Sequence, residues 1–87
     1  MNRDAMRAWL DEPGKTWRWN QGEADGYEAV ELRGKRLRWY RWSHAFEGGG
    51  AVDEVLQPTA SFLRDGPPRP VPARVREALE RAISASA

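Results

Sequence analysis

Residues 27–42, YEAVELRGKRLRWYRW, constrain the fold more than any other part of the chain. Gly34-Lys35 fits a two-residue hairpin turn of the Gly-first type, and a turn of fixed length fixes the register of the strands it joins. Leu32 then faces Leu37, Val30 faces Trp39, Glu31 faces Arg38, Ala29 faces Tyr40, Glu28 faces Arg41 and Tyr27 faces Trp42. Apolar meets apolar, acid meets base and aromatic meets aromatic. Taken as composition alone, the same segment looks like a basic, Trp-rich nucleic-acid binder. Paired, much of it is explained as sheet.

The remaining elements assemble around this hairpin. Residues 4–11 predict a short helix, with Asn2 or Asp4 as its cap, Met6, Trp9 and Leu10 on one face, and Pro13-Gly14 as its stop. Residues 16–20, TWRWN, predict a strand with Trp17 and Trp19 on one face and Arg18 on the other. Residues 21–26 read as a loop rich in glycine and acid. Beyond Glu47 and its triglycine, residues 51–57 predict a fourth strand, although its alternation is imperfect: Val52 and Glu54 would share one face and Val55 the other. Pro58 ends it. Thr59 is placed to cap a helical turn carrying Phe62 and Leu63, which Gly66-Pro67-Pro68 terminates. Residues 67–72, PPRPVP, predict an extended polyproline connector. Pro72 suits the first turn of a last helix, whose apolar stripe is Val75, Leu79, Ala82 and Ile83 and whose Glu77 and Arg81 form an i,i+4 pair. Residues 84–87 are expected to fray.

The expected fold is therefore α+β: a small antiparallel meander of three to four strands, flanked by a short N-terminal helix and a C-terminal helix. At 87 residues the chain suits one domain. The hairpin places Val30, Leu32, Leu37 and Trp39 on one face and Tyr27, Ala29, Tyr40 and Trp42 on the other. A sheet covered on both sides would use both groups, whereas a sheet with one solvated face would expose aromatic rings. Five Trp residues supply buried area in a chain with few branched aliphatics, so core packing is the expected role for at least three of them. Trp42 is the one expected to be exposed.

Composition narrows the function classes. A net charge of +1 exerts no global pull on nucleic acid or acidic lipid, so any such attraction has to come from local clustering. The absence of cysteine excludes disulfides, thiolate catalysis and Cys-ligated zinc, and suits the cytoplasm. The N-terminal residues lack the apolar core of a signal peptide, and no apolar run approaches the roughly 20 residues of a membrane span. No membrane partner is expected.

Chemistry-bearing patterns are sparse. His44 is the lone histidine, and adjacent Ser43 would point to the opposite face of a strand, so no nucleophile–base pair forms. His44 with Glu47 is not a metal-ligand pattern, and EGGGAVDE lacks the Lys and Ser/Thr of a phosphate-binding loop. Asp53 and Glu54 are adjacent and diverge on a strand. No catalytic, metal or cofactor site is expected. Arg33, Lys35, Arg36, Arg38 and Arg41 crowd into nine residues among Trp39, Tyr40 and Trp42. If Glu31 takes Arg38 and Glu28 takes Arg41, the residues left for binding are a basic tip, Arg33, Lys35 and Arg36, and an aromatic cluster, Tyr27, Tyr40 and Trp42.

Two functions are consistent with this. The first is a non-enzymatic binding or regulatory module acting through a protein partner or a second copy of itself, for which an exposed edge strand, 16–20 or 51–57, could pair across a two-fold axis. The second is a single-stranded nucleic-acid binder using the hairpin as a stacking platform. A continuous basic face with exposed Tyr40 and Trp42 would favour nucleic acid, and an apolar patch bordered by mixed charges would favour protein.

Overall fold

The computed structural model describes residues 15–23, 26–44 and 49–86. The helix expected over residues 4–11 lies outside them. Four strands, β1 (Lys15–Glu23), β2 (Gly26–Arg33), β3 (Arg36–Ser43) and β4 (Gly50–Pro58), form one antiparallel sheet in the order β1-β2-β3-β4. Two helices follow, α1 (Thr59–Asp65) and α2 (Ala73–Ser86). All described helix therefore comes after the sheet in the chain.

The β2–β3 hairpin has the register the turn dictates, from Arg33↔Arg36 through Val30↔Trp39 to Tyr27↔Trp42. Gly34 takes φ 58 while Lys35 stays out of the left-handed region, as a Gly-first turn requires. Strand β1 runs further than expected, through Gln21–Glu23, which the glycine- and acid-rich composition had suggested as loop. Asn20 at φ 58 and a register shift between Trp19 and Glu23 show how it continues: the strand kinks rather than ends.

A bulge also resolves the irregular alternation of β4. Trp39 pairs with Val55 but Arg41 pairs with Val52, so β4 carries one more residue than β3 across this stretch, and Asp53 absorbs it at φ 54. Val52 and Val55 are thereby both brought opposite residues of the same face, Arg41 and Trp39. The expectation that Val52 shares its face with Glu54 is corrected by that one residue.

One face of the sheet carries the core. Trp19, Val30, Leu32, Leu37 and Trp39 pack with Phe62 of α1 and with Val75, Leu79 and Ala82 of α2, while Trp17, Val71 and Ile83 lie against their edge. Trp19 meets Trp39 edge-on at 6.5 Å, and Phe62 lies 6.1 Å from Trp39 on the other side. The α2 stripe is the one its spacing predicts, the helix runs to Ser86, and its i,i+4 ion pair joins Arg76 to Glu80 rather than Glu77 to Arg81.

The entry to α1 also differs from expectation. Pro58, not Thr59, is the cap residue and no side chain caps the helix; the Thr59 N–H instead donates to the Lys35 carbonyl in the hairpin turn, 3.0 Å away. Phe62 is buried, but Leu63 points outward. Gly66, at φ 84, closes the helix with its N–H on the Phe62 carbonyl. Gln57 connects these parts: its side-chain oxygen accepts the Trp39 indole N–H at 3.0 Å, and its amide donates to the Gly66 carbonyl at 3.0 Å. The end of α1 is thus tied to the central indole of the core.

Candidate functional site

Successive residues of a strand alternate in face, so the register that sends Val30 and Trp39 to the helices sends Tyr27, Ala29, Glu31, Arg38, Tyr40 and Trp42 to the opposite face. The rings of Tyr27 and Trp42 stack at 6.2 Å with 9° between planes. The Arg18 guanidinium lies 5.1 Å from the Tyr27 ring centroid, and that of Arg38 lies 4.5 Å from the Tyr40 ring centroid. Trp42, expected to be exposed, is half-buried, and Tyr40 is buried. The Trp42 indole also lies where a side chain on Gly49 would have to go, 2.6 Å from the nearest indole atom, and Gly49 holds φ +79. The middle glycine of the triglycine thus admits the close approach of a ring, a purpose the spacing alone did not reveal.

The charges on the sheet are shared out differently from a simple cross-strand scheme. Glu31 does meet Arg38, at 2.8 Å, but also takes Arg33, at 3.1 Å. Arg33 therefore leaves the basic tip. Glu28 accepts from the Asn20 amide at 2.7 Å, and Arg41 turns to Asp53 at 3.3 Å. Arg38 makes a second, two-pronged contact with Glu54, Nε at 3.2 Å and Nη2 at 3.0 Å. Burial works against the Arg38 charge, and the Glu54 and Glu31 carboxylates outweigh it, raising its pKa above the ordinary arginine value. Burial likewise raises the Tyr40 phenol, reinforced by Glu31 and Tyr27. Asp53 and Glu54 diverge, one to Arg41 and the other to Arg38. Lys35 and Arg36 remain exposed at the turn.

A second surface is built by β4, one of the two edge strands expected from the sequence. Among the described residues, the exposed large hydrophobic side chains are Val55 (38% exposed), Leu56 (51%) and Leu63 (56%). Leu56 opposes Arg38 and so lies on the face away from the helices, whereas Val55 opposes Trp39. Lys35, Arg36, Leu56, Gln57 and Pro58 line a shallow groove of about 390 Å³. Asp53 and Glu54 precede Val55 and Leu56 along the strand, and Lys35 and Arg36 come from the turn. A meander necessarily leaves its last strand at an edge, as expected for residues 51–57; the structure adds that Val55 and Leu56 are the large apolar side chains it exposes.

His44 sits in an exposed turn. Among the described residues no three His, Asp or Glu side chains gather as a metal site, and no helix is long and apolar enough to cross a membrane. Comparison with protein families, curated proteins and solved structures finds no match to this chain.

Proposed function

We infer that this domain is a non-enzymatic binding or regulatory module that acts through a protein partner. The observation that supports this most is Leu56, 51% exposed on β4 in a groove it shares with Lys35, Arg36, Gln57 and Pro58, with Glu54 two residues away on the same strand. An exposed apolar side chain among charges of both signs suits a protein surface, and a polyanion would meet Asp53 and Glu54 along the same strand.

The nucleic-acid alternative draws less support from the hairpin. Arg33, Arg38 and Arg41 are engaged by Glu31, Glu54 and Asp53, and Tyr40 is buried beneath Arg38, so its face is not offered to a base. Lys35 and Arg36 remain as cations at the tip.

Light scattering of the purified protein, before and after RNase and DNase, tests this reading. A complex whose mass survives nuclease supports a protein partner. A complex that collapses to monomer on nuclease treatment, together with an affinity for single-stranded RNA that falls steeply with salt and less steeply in Arg36→Ala, would sink it in favour of nucleic acid.

A further inference from the structure

We propose that β4 pairs with β4 of a second copy of this chain, antiparallel across a two-fold axis at Leu56, joining two four-stranded sheets into one. The proposal rests on the protein-partner reading above and names the partner.

The sheet has two edges, and they differ in character. Strand β1 presents Lys15, Thr16 and Arg18 to solvent and directs Trp17 and Trp19 to the core, so charge guards that edge. Strand β4 presents Val55 and Leu56. Its free backbone is also defined. The two-residue turn makes Arg33↔Arg36 a hydrogen-bonded pair, and alternation then directs the N–H and C=O of Leu37 and Trp39 toward β4. Their partners Gln57 and Val55 face inward, and the N–H and C=O of Leu56 face away from the sheet.

Both ends of this free run are closed. At one end Asp53 leaves the strand conformation and its carbonyl is taken by Arg69 Nη2 at 2.7 Å. At the other, Pro58 lacks an N–H and α1 begins. What remains is residues 54–58, and Leu56 is its midpoint. A two-fold axis there uses the whole run, sets the two Leu56 side chains against each other on one face, and lets each Leu56 N–H donate to the other's carbonyl.

The charges agree with that register. The axis sets Glu54 opposite Pro58 of the partner subunit, and the neighbour of Pro58 in the sheet is Arg36. Each Glu54 thus meets the groove lined by Lys35, Arg36 and Leu56 of the partner subunit, twice by symmetry. A carboxylate offers about four acceptor positions, so Glu54 can keep Arg38 within its own chain and still receive the partner's Arg36.

Five residues a side is a small interface, so dimerisation is expected over roughly 10 µM to 1 mM. Sedimentation equilibrium of the nuclease-treated full chain should show mass rising from one to two copies across that range. Amide exchange at Leu56 should slow in step, because its N–H is bonded only in the dimer. Leu56→Lys should remain monomeric with an unchanged circular dichroism spectrum, since the side chain is half-exposed. Arg36→Glu should weaken dimerisation at least tenfold at low salt and less at high salt. A monomer at about 1 mM overturns the proposal, and so does a dimer in which Leu56 exchange stays independent of concentration. If the protein is monomeric yet retains a different, nuclease-resistant protein partner that Leu56→Lys releases, self-pairing is wrong and the protein-partner reading stands. If its only complex is nuclease-sensitive, both are wrong.

Discussion

Gln57 holds more of this molecule together than its type suggests. Both ends of its amide are used inside the structure, on the Trp39 indole and on the Gly66 carbonyl. Gln57→Leu keeps the bulk but leaves a buried N–H and C=O without partners, so a loss of about 1–3 kcal/mol is expected in urea unfolding. Tyr40 carries a pH signature. Its raised pKa means that the folded protein holds the phenolic proton more tightly than the unfolded chain does. This stabilising contribution is full below the ordinary tyrosine pKa of about 10 and is lost as pH rises through the folded value. Urea midpoints followed from about pH 9 upward should fall for the wild type and fall less for Tyr40→Phe. Parallel profiles would show that another group is responsible.

At the scale of elements, the hairpin and the last helix were legible because each rests on local periodicity. Gly34-Lys35 sets the register of β2 and β3, and the spacing of Val75, Leu79, Ala82 and Ile83 sets the face α2 turns to the sheet. Helix α1 was less legible. Its seven residues contain adjacent Phe62 and Leu63, and in so short a helix periodicity cannot say which is inward. The sheet decides: Phe62 fills the space beside Trp39, and Leu63 faces solvent. Leu63→Ala is accordingly expected to change stability by less than about 0.5 kcal/mol, and Leu79→Ala to cost about 2–5 kcal/mol. Comparable losses in thermal or urea unfolding would contradict the placement of α1. Strand β4 was misread for a related reason. Its bulge at Asp53 breaks the two-residue period, and a period-based reading then assigns Val52 to the wrong face.

For the molecule as a whole, the placing of both described helices on one face of the sheet is the main consequence of chain order. The described helices pack on one face, the aromatic and ionic cluster of Tyr27, Tyr40, Trp42, Glu31 and Arg38 occupies the other, and β4 closes the sheet at an apolar edge. If that edge joins two copies, dimer formation is linked to folding, and the melting temperature of the wild type should rise with protein concentration while that of Leu56→Lys should not. Scanning calorimetry at two concentrations a hundredfold apart makes the comparison. Equal shifts in both proteins would place any association elsewhere.

The amino-acid sequence alone determined the hairpin register, the apolar stripe of α2 and the division of hairpin side chains between two faces. Each follows from a turn length or a repeat that neighbouring residues impose on one another. The tertiary structure decided which of several nearby acids each arginine meets: Arg33 with Glu31, Arg41 with Asp53, Arg38 with both Glu31 and Glu54. It also decided that Gln57, half-buried, bridges Trp39 and Gly66 and that Leu56 is exposed. Long side chains reach partners on a third strand, and an edge exists only once every strand has a place, so neither outcome is encoded in local spacing.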